Sequence, residues 1–99
     1  MTERYSIEFP DKRERYDSDR DVVLFSGRTT RGEISCAISR EALVDYCEIK
    51  GKDRRALLSA FRKYRQQIEN IARKKVSARQ LEPDGSLLIR NEDMQGRGS

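Results

Sequence analysis

The chain contains no histidine and no tryptophan, and only two cysteines and two prolines in 99 residues. The lack of histidine removes both the commonest general base and the commonest metal ligand. Cys36 and Cys47 stand eleven positions apart, which is neither a CxxC redox spacing nor a zinc-ligand spacing. Each falls on the apolar side of its element, so both are expected to be buried and unpaired, as small hydrophobes. No apolar run exceeds Val22-Val23-Leu24-Phe25, far short of the roughly 18 residues that span a bilayer. The first residues lack the apolar core of a signal peptide, so the expected compartment is the cytoplasm, where thiols stay reduced. No glycine-rich phosphate loop occurs. Asp17, Asp19 and Asp21 alternate as in a calcium loop, but the glycine and the closing glutamate of an EF-hand are missing. They read as a solvated acidic loop. No cofactor, metal, small molecule or membrane is expected as a partner, and no pairing of a nucleophile or acid with a base suggests an enzyme.

What is present is polar: 38% of the residues are charged against 35% apolar. The apolar residues nevertheless form short periodic blocks separated by turn signals, which argues for a folded domain over disorder. Residues 5–9 alternate as a half-buried strand stopped by Pro10-Asp11. Residues 12–21 read as a charged loop, 21–25 as a second strand, 26–32 as a polar turn and 33–38 as a third strand with Ile34, Cys36 and Ile38 on one side. Ser39 suits a helix N-cap, and Ile38 and Leu43 are placed for a hydrophobic staple. The first helix is predicted over 40–49, ended by Gly51. Asp53 is a second N-cap. One long helix follows, with Leu57, Phe61, Tyr64, Ile68, Ile71 and Ala72 at three- and four-residue spacing. Lys75 and Arg65 lie near that apolar stripe, where their stems can run along the core. Residues 82–85 have turn chemistry, 86–90 form a fourth strand, and 94–99 have the composition of a loose tail. The order is β-β-β-α-α-β. It predicts an α+β, two-layer domain: a four-stranded, mainly antiparallel sheet with two helices on one face. The domain is placed at residues 1–94 and a flexible C-terminal tail at 95–99.

The most distinctive runs are Ile34-Ser35-Cys36-Ala37-Ile38-Ser39 with Glu41-Ala42-Leu43, and Phe61-Arg62-Lys63-Tyr64-Arg65-Gln66-Gln67-Ile68-Glu69-Asn70-Ile71-Ala72 with Lys75. The segment Glu82-Pro83-Asp84-Gly85-Ser86-Leu87-Leu88 follows. Together with Ile7-Glu8-Phe9-Pro10 and Val23-Leu24-Phe25, their order and spacing resemble the small bacterial family called domain of unknown function 1488. The resemblance spans roughly residues 5–94, with Tyr16 where the family favours tryptophan. It implies a compact domain of helices and strands, and it transfers no activity and no site residue.

Charge is unevenly spread. Residues 54–79 hold nine basic residues and one acid, Glu69, a net charge of +8, while the rest of the chain is net acidic. Arg55, Arg62 and Arg73 fall on one line of an ideal helix, with Lys63 and Lys74 farther round, opposite the apolar stripe. Such a stripe can gather phosphates. Lysine and arginine also simply favour helices and suit the C-terminal end of the helix dipole. Strands two and four carry apolar residues on both faces: Val22 and Leu24 against Val23 and Phe25, and Leu87 and Ile89 against Leu88. Helices on one side leave some of these open to a partner. The first functional reading is therefore a non-catalytic protein-interaction module, acting through a protein partner or a homodimer. The alternative is a nucleic-acid-binding protein using Arg55, Arg62, Lys63, Arg73 and Lys74.

Overall fold

The computed structural model describes residues 7–10, 13–47 and 53–95, the side chains of Cys47 and Gln95 excepted. Its elements run β1 (Arg15–Asp17), β2 (Val22–Thr29), β3 (Gly32–Ser39), α1 (Arg40–Cys47), α2 (Arg54–Lys63), α3 (Arg65–Ser77), β4 (Leu87–Ile89) and α4 (Asn91–Gln95). One four-stranded sheet has the order β1-β2-β3-β4. The first two pairings are antiparallel, and β4 joins β3 in parallel. This is the expected α+β architecture, a mainly antiparallel sheet with its helices packed on one face.

The β2–β3 hairpin is longer than expected. Residues 26–32 were predicted as a polar turn, but only Thr30 and Arg31 separate Thr29 from its partner Gly32. Gly32 adopts φ +121°, which glycine tolerates best. The Thr29 hydroxyl accepts from the Arg31 N–H at 3.1 Å and donates to the Gly32 carbonyl at 3.1 Å. The polar composition misleads because this end of the hairpin is covered from elsewhere. A Cβ on Gly27 would stand 2.2 Å from Cδ1 of Ile7, so glycine there lets the N-terminal segment lie flat on β2.

That segment corrects the predicted first strand. Residues 5 and 6 lie outside the described residues, and Glu8 makes a single antiparallel bridge to Arg28, with N···O distances of 2.9 and 2.7 Å. The continuous strand, β1, falls within the predicted charged loop. Both stretches pair with the same edge of β2: Glu8 opposite Arg28, Tyr16 opposite Val23. Seven residues lie between Glu8 and Tyr16, against four between Val23 and Arg28. The edge strand is thus one strand broken by an excursion that contains Pro10, which cannot donate to a ladder.

Side chains cap the helices. Ser39 Oγ accepts from the Ala42 N–H at 3.1 Å, and Asp53 Oδ1 from the Ala56 N–H at 2.9 Å. Both serve as the N-caps read from the sequence. The first helix is described to Cys47, and the predicted end at Gly51 lies outside the described residues. The single long helix is corrected to two. Tyr64, at φ −106° and ψ 19°, separates α2 from α3. The Tyr64 N–H still bonds to Ala60 O, and the ladder resumes from Ile68 N–H to Tyr64 O. No proline or glycine causes the break. α2 packs on β1, β2 and α1, whereas α3 packs on β4 and α4, and a twisted sheet presents those two regions at different angles. α3 ends with Gln80 N–H on Lys75 O and Arg79 N–H on Val76 O, a Schellman closure with Arg79 at φ 58° where glycine is usual.

The reading of a loose tail from Met94 onward is corrected at Met94 alone. Met94 is 4% exposed and belongs to the core. Asp93 Oδ2 accepts from the Arg90 N–H at 2.8 Å and from Lys75 Nζ at 3.0 Å, which seats α4 against α3. Residues 96–99 lie outside the described residues. No helix among the described residues is long and apolar enough to cross a membrane.

Phe61 sits at the centre of the core, fully buried, with its ring 5.1 Å from that of Phe25, itself 5.9 Å from Phe9. Phe61→Ala is expected to lower stability by about 3–5 kcal/mol, the usual cost of deleting a core phenylalanine, as read by urea denaturation. A loss below about 1 kcal/mol, the level of a surface change, would contradict this packing.

Candidate functional site

The basic residues of the two helices do not form one free stripe. The break at Tyr64 places Arg55, Arg62 and Lys63 on α2, and Arg73 and Lys74 on α3. Arg62 and Arg65 both bond the carboxylate of Glu14, which the edge-strand excursion carries to the helices. Arg65 reaches Glu69 at 3.4 Å, and Glu69 lies 3.9 Å from Arg73. Arg73 donates to Asn70 Oδ1 at 2.9 Å and stacks over the Phe9 ring at 5.3 Å. Arg65 lies 4.8 Å over Phe61. The side chains of Glu14 and Glu69 are only 6% and 5% exposed. Two buried carboxylates therefore alternate with three arginines in one chain, Arg62–Glu14–Arg65–Glu69–Arg73. Of the five residues predicted to contact nucleic acid, the fold ties Arg62 and Arg73 into this chain. Arg55, Lys63 and Lys74 are exposed, with Lys63 over the Tyr64 ring at 5.6 Å.

Other chemistry-bearing groups are separately engaged. Lys75, read from the sequence as a stem along the core, is 8% exposed and ends on Asp93. The acidic loop does not converge: Asp17 accepts from the Asp19 N–H at 3.0 Å, while Asp21 takes the Tyr16 hydroxyl on one oxygen and Arg40 Nε, at 3.0 Å, on the other. The Tyr16 bond, aided by Arg40, holds the Asp21 carboxyl below its ordinary value, and the same bond raises the Tyr16 hydroxyl. Cys36 is buried, and burial pushes its thiol up to about 12. The expectation for Cys47 concerns a side chain outside the described residues.

The outer face of the sheet is different. Pairing aligns Val23, Phe25, Ile34, Cys36, Ile38, Leu87 and Ile89 toward the helices. The intervening residues form rows on the opposite face, as strand alternation requires. One row runs Arg15, Leu24, Ala37, Leu88, and the next runs Asp17, Val22, Ser39. Ser26 faces Ser35 on the other flank, and Arg28 and Glu33 pair at 4.0 Å at the far end. Val22, Leu24, Ala37 and Leu88 stand outside the core cluster beneath the helices. Leu24 and Leu88 are half-buried, and the small Ala37 lies hidden between them. The doubled apolar faces legible in the sequence are thus divided as expected. Sequence reading missed Glu14, Arg15, Asp17, Arg65 and Glu69 as members of an arrangement. The i, i+4 spacing of Arg65, Glu69 and Arg73 was available as a signal; nothing local marks Glu14.

Comparison with known proteins was consistent with this architecture. The family described as protein of unknown function (DUF1488) matches residues 7–89. A crystal structure of a protein of unknown function from that family, from Shewanella loihica PV-4, superposes with a TM-score of 0.77 at 23% identity. The match covers 85% of this chain and 91% of that chain, a likeness of fold. No curated protein matches.

Glu14→Gln should lower stability by about 1.5–3 kcal/mol, the range for a hydrogen bond to a charged group, because Arg62 and Arg65 both lose the carboxylate that joins them; urea titration measures it. In a Cys47→Ser background, Cys36 should react with an aromatic disulfide reagent at pH 8 only as fast as the protein unfolds. Its raised thiol also fixes a sign. The stability it contributes is complete below the unfolded value near 8.5 and falls as pH rises toward about 12. Rapid labelling of the native protein would contradict the burial.

Proposed function

The chain belongs to the DUF1488 family, whose description names no activity, and from the geometry of its sheet we propose that it is a non-catalytic protein-interaction module that docks through the open sheet face. The observation that carries this reading is the set Val22, Leu24, Ala37 and Leu88, which lies on the side of the sheet away from the helices and outside the core cluster. Val22 and Ala37 are already buried there, and the half-exposed Leu24 and Leu88 gain free energy when a partner removes them from water. The same reading is supported by the state of the groups that carry chemistry. Glu14, Glu69 and Lys75 are each bound in ion pairs, and the Cys36 thiol is buried and protonated at neutral pH. The helical face is less suited to phosphate, since two of its five candidate cations already face carboxylates.

A photo-crosslinking amino acid placed at position 24 or 88 in the native cell should give adducts, while the same residue at position 55, on the helical side, should give few. Adducts confined to position 55, with none at 24 or 88, would reverse the assignment and favour the basic helix.

A further inference from the structure

Resting on that docking reading, we infer that the occupant of the open face is a second copy of the same chain, packed face to face about a two-fold axis. The face is self-complementary. Arg15 and Asp17 project from the same side of β1, two residues apart, and begin adjacent rows. A two-fold axis lying across the strands, between those rows, brings Arg15 over Asp17 of the second copy, and Asp17 over its Arg15. The same operation sets Leu24 over Val22 and Ala37 over Ser39. An isologous interface requires this reciprocity, in which residue i meets j and j meets i. Arg15 has no acidic partner among the described residues. Asp17 uses one oxygen on the Asp19 N–H, which leaves the other for an arginine.

Charge favours a copy over a strongly charged partner. The chain is net +4, so two copies repel in most orientations. On this face Arg15 is offset by Asp17 and Arg28 by Glu33, which leaves it a place where like chains can meet. Side-chain size agrees. Ser26, Ser35, Ala37 and Ser39 are short, and stacked sheets approach to about 10 Å when inner side chains interdigitate. With β1 and β4 only three residues long, strand spacing and rise give the face about 350 Å² per copy, or about 700 Å² buried in total. That is smaller than stable specific interfaces, so the dimer is weak and reversible.

The test is sedimentation velocity on the full chain from about 10 μM to 1 mM, for the wild type, Arg15→Asp, Asp17→Arg and the double exchange, with thermal melts to confirm folding. The wild type should shift from monomer to dimer over that range. Each single exchange sets like charges opposite each other and should weaken dimerisation about tenfold or more, and the double exchange should restore it. Arg15→Asp is the decisive single variant, because Asp17 also holds the turn to Asp19. A wild type that stays monomeric at 1 mM, or a dimer indifferent to both exchanges, overturns the second copy as occupant. If position 24 or 88 then still crosslinks to a foreign protein, docking through the face survives with another partner. If neither position crosslinks to anything, the docking reading falls with it.

Discussion

A carboxylate with almost no access to water holds the two sides of this molecule together. Glu14 leaves the edge of the sheet in the excursion between Glu8 and β1 and ends between Arg62 and Arg65. Isolated, such a charge would be prohibitively costly to bury; paired and hydrogen-bonded, it is tolerated and specifies a geometry. Its two arginines flank the break at Tyr64, so one side chain bonds the end of α2 and the start of α3. The contact continues through Glu69 to Arg73, whose guanidinium covers Phe9. Phe9 in turn lies on Gly27 beside Ile7. The N-terminal segment, the broken edge strand and the helix pair are thereby fastened by one connected set of contacts.

This network changes the meaning of the charge distribution. The strong positive surplus of residues 54–79 is not all surface charge, because part of it neutralises acids that the rest of the chain sends inward. Arg62 and Arg73 remain partly solvated, which leaves their pairs weaker than the Glu14–Arg65 contact. On the other side of the sheet the logic reverses. Its charged residues match by sign at the surface, and its centre is apolar and small. One side of the protein is sealed by long side chains and ion pairs, and the other carries the half-exposed Leu24 and Leu88 among short side chains.

The sequence by itself determined the class of fold, the hairpin centred on β2 and β3, both helix caps and the core stripe of Leu57, Phe61, Ile68 and Ala72. All of these are local: a period of two or 3.6, or a hydroxyl or carboxylate three residues before an N–H it can accept from. The division of Val22 and Leu24 from Val23 and Phe25 was legible for the same reason. Only the tertiary structure decided where Glu14 points, that β1 lies inside a charged stretch, that the long helix breaks at Tyr64 and that Met94 is core. Each depends on a partner distant in the chain: Arg62 and Arg65 for Glu14, β2 for Arg15–Asp17, the twisted sheet for Tyr64, and Lys75 with Asp93 for α4. The rows that join Arg15 to Leu88 exist only because β4 returns parallel to β3, a choice of sheet edge that no local pattern encodes.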